Sequence, residues 1–108
     1  MPIHRRLLTL EELALLLHML RGKPNVEHLL AALPACEVEE MNDGGMGSLL
    51  FISSKPERRL GEVVAEFQFK DEDNIPVLAS LNLDEDGELF ELDLFKADFS
   101  PLKWLPVL

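Results

Sequence analysis

The sequence predicts an α+β fold: two N-terminal helices packed on one face of a mainly antiparallel five-stranded sheet. Three observations lead there. Near the start, Leu13, Leu16, Leu17 and Leu20 recur at the spacing of one helix face. In the second half apolar and polar residues alternate, most cleanly over residues 62–70. Turns rich in Gly, Asp and Asn separate those stretches at short intervals, as antiparallel hairpins require.

The first helix is expected over residues 9–21. Thr9 can cap it and Glu12 stands three residues on, a capping box. Leu10, Ala14, Leu15 and Met19 widen its apolar stripe, and Gly22 followed by Pro24 is a stop signal. A shorter helix follows, with Asn25 as its cap, Leu29, Leu30 and Leu33 as its face and Pro34 as its end. Strands are expected over residues 37–41, 48–53, 62–70, 77–83 and 88–95. Asn42-Asp43-Gly44-Gly45 is a strong turn, because Asn and Gly tolerate positive φ. Residues 54–59 form a polar loop, and residues 71–74 and 84–87 make the last two turns. Beyond Lys96, Pro101 and Pro106 exclude a central strand.

Side-chain faces set the register. Pairing Leu83 with Glu88 brings Leu81 to Phe90, Ala79 to Leu92 and Val77 to Leu94, so the apolar sets coincide. The preceding hairpin then sets Phe67 against Val77 and Ala65 against Ala79. The expected core contains Leu13, Leu16, Leu17, Leu20, Phe67, Leu81, Phe90 and Leu92. The opposite face collects Glu66, Gln68, Ser80, Asn82, Glu91 and Asp93, with two hydrophobic exceptions, Leu78 and Phe95. An antiparallel sheet of this kind keeps one face wet.

Charge is unevenly spread. The net charge is −10, yet residues 1–36 sum to +1 and residues 37–108 to −11. Between Asp71 and Asp98 there are ten carboxylates and one base, Lys96. Such a field repels nucleic-acid phosphates and anionic lipid, so neither nucleic acid nor membrane is an expected partner. It favours a basic protein, or it serves solubility alone. With 47% hydrophobic residues the 108-residue chain reads as one globular domain. The start lacks a signal-peptide pattern, and no apolar run reaches the roughly 18 residues that span a membrane. A cytoplasmic protein is the expectation.

No motif identifies a reaction. Cys36 is the only cysteine and reads as a buried thiol. His4, His18 and His28 show no metal-ligand spacing. Asp84-Glu85-Asp86-Gly87-Glu88 has the composition of a calcium loop but sits in a turn of about four residues, too short for that geometry. Ser48 lies in GMGSL, which lacks the G-x-S-x-G spacing of a nucleophile elbow. The glycines of residues 42–47 precede no GK[ST] and read as a hairpin turn. No cofactor, metal ligand or catalytic residue is therefore assigned.

The runs NDGGMGSLLF (residues 42–51) and SLNLDEDGELFELDLFKADFSPL (residues 80–102) resemble hallmark runs of an uncharacterised family of small bacterial proteins, a domain of unknown function. That resemblance implies no activity, cofactor or site residue.

The reading favoured by charge and size is a protein-binding module, such as an immunity or antidote-like inhibitor of a basic partner. Its candidate contact residues are Glu66, Asp84, Asp86, Glu91 and Asp93, all expected to be exposed and near one another. The alternative is a small-molecule-binding or enzymatic domain with a pocket between helices and sheet. Phe99, Leu102, Trp104, Leu105, Val107 and Leu108 make the C-terminus apolar, so it is expected to dock on the domain or to form a homodimer.

Overall fold

The structure, a computed structural model, describes residues 4–106. The elements run β1 (Arg5–Leu7), α1 (Leu10–Leu20), α2 (Glu27–Ala32), a 3-10 turn (Leu33–Ala35), β2 (Glu37–Glu40), β3 (Leu49–Phe51), β4 (Leu60–Lys70), β5 (Pro76–Asp84) and β6 (Leu89–Lys96). The strands form one antiparallel sheet in the order β1-β2-β3-β6-β5-β4. The α+β class is as expected, but the sheet has six strands and not five. The added strand is β1. Three residues are too few to show a period of two, and its partner β2 lies beyond both helices.

The capping box of α1 forms as the sequence suggests. The Glu12 amide donates to Thr9 Oγ1 at 3.1 Å, and the Thr9 amide donates to Glu12 Oε1 at 2.9 Å. The buried face, however, is Glu12, Leu15, Leu16, Met19 and Leu20. Relative to the expected stripe the helix is turned by about one residue, and Leu17 is 43% exposed. Leucines nearly all round leave the face undefined by hydrophobicity alone. Arg6 of β1 fixes it, gripping Glu12 with two hydrogen bonds of 2.7 and 3.0 Å and drawing that side inward. At α2 the cap position is Val26, with no side-chain cap, while Asn25 adopts φ +59° and turns the chain.

One hydrophobic cluster joins Leu15, Leu16 and Leu20 of α1 and Leu29 of α2 to Val38, Leu49, Phe51, Val77, Ala79, Leu81 and Leu92 of the sheet. The His18 ring meets Phe67 edge-on at 4.8 Å, which sets α1 against β4. Of the expected core, Leu16, Leu20, Leu81 and Leu92 are fully buried. Leu13 and Phe67 pack at the rim of the cluster.

Both central registers are two residues from the expected ones. Leu81 faces Leu92 and Ala79 faces Leu94, while Phe67 faces Ala79 and Ala65 faces Leu81. The turn after β4 spans five residues, closed by the Asp71 amide on Ile75 O with Asn74 at φ +68°. The next hairpin carries a bulge between Asn82 and Leu83, so Phe90 leaves the core and lies half-buried under the Arg58 guanidinium, 4.6 Å from its ring centroid. A slip of two residues preserves faces, so Val77, Ala79, Leu81, Leu92 and Leu94 stay buried although Phe90 does not.

The chain after β6 packs on the domain. The Leu102 amide donates to Gly45 O at 3.0 Å, and Leu102 and Leu105 lie against the core. Gly45 and Gly47 permit this approach, since a Cβ there would stand 3.3 Å from Pro101 and 3.2 Å from Leu102. Phe99 and Trp104 remain exposed. Val107 and Leu108, also expected to dock, lie outside the described residues. Among the described residues no helix is long and apolar enough to cross a membrane.

Candidate functional site

Alternation in β4, β5 and β6 turns one set of side chains to the core and the other outward. On the outer face Ser80 is paired with Glu66 on one side and Asp93 on the other, and Asn82 is paired with Glu91. Glu66, Glu91 and Asp93 therefore come together as the sequence suggests. Glu66 is exposed as expected, but Glu91 and Asp93, also expected to be exposed, are half-buried, because they lie on β6, an interior strand flanked by β3 and β5. Ser80 Oγ donates to Glu66 Oε2 at 3.4 Å, and Asn82 Nδ2 donates to Asp93 Oδ2 at 2.5 Å.

Glu91 and Asp93 are two residues apart on one strand, so their carboxyls stand side by side. Burial pushes the Glu91 carboxyl above its ordinary range, the neighbouring Asp93 adds to this, and the Arg58 charge opposes it without cancelling it. Burial likewise raises Asp93; hydrogen bonds from its neighbours oppose that rise, and the Asp43 charge reinforces it. Asp43 was legible only as a turn residue. Its carboxylate accepts the Met46 and Ser48 amides, which holds the turn beside β6. Among the described residues no ion pair reaches Glu66, Glu91 or Asp93.

The two hydrophobic exceptions are direct cross-strand partners. Leu78 faces Phe95, and they are 38% and 47% exposed. Phe99 stands edge-on to Phe95 at 5.1 Å. The outer face thus combines an acidic row with an adjoining apolar group.

Asp84 and Asp86 do not belong to it. Asp84 was expected to be exposed and is 2% exposed. Its Oδ2 takes the Lys55 ammonium at 2.9 Å, and its Oδ1 accepts the Asp86 and Glu88 amides at 2.9 and 3.0 Å. These bonds and Lys55 outweigh burial and hold the Asp84 carboxyl below its ordinary range. Asp86 is exposed but bonded to the same Lys55 at 2.9 Å, with Glu88 at 3.2 Å. Asp84 and Asp86 form a clasp that ties the 55–58 loop to the β5–β6 turn. A second clasp surrounds Lys96, which is fully buried and reaches Asp71 at 2.9 Å, Asp73 at 2.6 Å and the Pro101 carbonyl at 3.1 Å. Five of the ten carboxylates between Asp71 and Asp98 are thus matched to cations of the chain itself.

A cavity of about 320 Å³ opens between α2, β3 and the β5–β6 turn. His28, Cys36, Ser53 and Glu88 supply its polar groups. Each is engaged within the protein. The His28 ring meets Gly87 O at 3.1 Å, Cys36 Sγ donates to Leu33 O at 3.2 Å, Ser53 Oγ accepts the Lys55 amide at 3.2 Å, and Glu88 pairs with Lys55. Burial raises the Cys36 thiol, which keeps it protonated and a poor nucleophile. Among the described residues no group of three or more His, Cys, Asp or Glu is placed to hold a metal ion.

A family model described as a domain of unknown function, DUF6984, matches residues 5–106. The chain belongs to that family. The DUF6984 match takes in both helices and all six strands, well beyond the two runs that first suggested it. No curated protein and no solved structure matches the chain.

Proposed function

We propose that this DUF6984 protein is a protein-binding module whose outer sheet face receives a basic partner, in the manner of an antidote-like inhibitor. One observation carries the reading. The buried acids of this fold are ion-paired to cations of the chain, whereas Glu91 and Asp93 stand side by side on the outer face with no ion pair among the described residues, only the more distant charge of Arg58 beside Glu91. Two adjacent half-desolvated carboxylates cost stability in the free protein. A lysine or arginine from outside would relieve that cost, and the Leu78–Phe95 pair beside it offers apolar area to bury. Glu66 extends the acidic row. Asp84 and Asp86 drop out of the interface, because Lys55 already occupies them.

The alternative, a ligand pocket between helix and sheet, has the cavity beside α2 in its favour. Its polar groups are turned to protein partners, so it lacks the free convergent set that orients a small molecule. The test is a comparison of two baits in extract of the native host, the wild type and the Glu91→Gln/Asp93→Asn variant. The wild type should retain a basic protein that the variant releases. A protein retained equally by both, or a small molecule alone in native mass spectrometry, would count against this face.

A further inference from the structure

The two edges of the sheet differ. One is β1, three residues long and carrying Arg5 and Arg6. The other is β4, eleven residues long. Long open edges are sites where another strand can add.

Hydrogen-bond parity shows which groups that edge offers. The Asp71 amide donates to Ile75 O, and antiparallel pairs alternate between bonded and non-bonded. Phe69, Phe67 and Ala65 therefore bond to β5. The amides and carbonyls of Glu66, Gln68 and Lys70 point outward. Among the described residues nothing bonds to those groups, and all three side chains are exposed. Irregularities between Leu60 and Ala65 break the other half of the strand, so the regular open segment is residues 66–70.

We propose that this segment pairs antiparallel with the same segment of a second copy, about a twofold axis at Gln68. In that register Glu66 faces Lys70 of the second copy, Lys70 faces its Glu66, and Gln68 faces Gln68. All six outward backbone groups gain partners. Two opposite-charge pairs form from residues that have no ion-pair partner among the described residues of one chain. On the core face Phe67 stands across from Phe69 of the second copy, an aromatic cross-strand pair. The competing register centred on Glu66 sets Glu66 against itself and needs the irregular half of the strand. Five residues a side make a small interface, so the dimer is concentration-dependent. The twofold joins two sheets into one of twelve strands.

Sedimentation equilibrium over a wide concentration range tests this. The wild type should approach twice the 12.2 kDa of one chain. Gln68→Pro removes an outward amide and no bond to β5, a change an edge strand tolerates, and should be monomeric while still folding cooperatively, with a melting temperature that no longer depends on concentration. Lys70→Glu should weaken self-association about tenfold or more, and adding Glu66→Lys should restore it. A wild type that stays monomeric throughout would overturn the proposal. So would a dimer indifferent to Lys70→Glu and Gln68→Pro, or one lost instead on Trp104→Ala, which would place the contact at the C-terminal segment.

Discussion

Asp71 shows how a carboxylate in an acidic stretch becomes structural. Burial pushes its carboxyl up. The Lys103 amide, the Lys96 ammonium and the Glu72 and Trp104 amides together outweigh burial and hold it at about 2, below its ordinary 3.8. A lowered value stabilises the fold fully above the unfolded value and is lost as pH falls through the folded one. The contribution should therefore disappear between 3.8 and about 2. Thermal melts of Asp71→Asn should show a lower midpoint than the wild type at neutral pH, with the gap closing across that window. Glu91 and Asp93 have the opposite sign. Their raised values mean a penalty that is full above the folded value and gone below the unfolded one, 4.5 for Glu91 and 3.8 for Asp93. Glu91→Gln/Asp93→Asn should thus melt higher than the wild type at neutral pH and match it at about pH 3. Sequence patterning brought Glu66, Glu91 and Asp93 together because period two is visible in residues. It misplaced Asp84, whose burial depends on Lys55, 29 positions away, and no local pattern announces that pairing.

Element types were legible wherever caps, turns and alternation agreed, as at the Thr9–Glu12 box and along β4. What failed was what backbone hydrogen bonds decide between elements. Strand β1 is defined only by its pairing with β2, and the bulge near Phe90 only by the closure of its hairpin. Glycine at 61 belongs to the same class. It falls between the expected loop and strand, where no pattern marks it, yet a Cβ there would fall on the Asp84 carbonyl. Gly61→Ala should cost about 1–3 kcal/mol in a denaturant melt, the range of an overpacked site. An unchanged midpoint would show that the irregular end of β4 shifts freely.

Taken together, the charge of this protein divides into two populations. One is internal and matched: Lys55 and Lys96 each gather carboxylates from separate turns and tie down the 55–58 loop and the C-terminal segment. The other is external and unmatched, on the wet face of the sheet. Net charge alone cannot separate them, so the sequence overstated the acidic surface by including the clasps. The unmatched part sits beside Leu78 and Phe95, which a purely solubilising surface would not need. The most direct test is the association rate with the basic partner retained by the wild-type bait, measured in stopped flow at low and physiological salt. The rate should fall about tenfold or more as salt rises, and Glu91→Gln/Asp93→Asn should both slow it and flatten that dependence. A rate equal at both salts, and equal in the variant, would contradict recognition by this face.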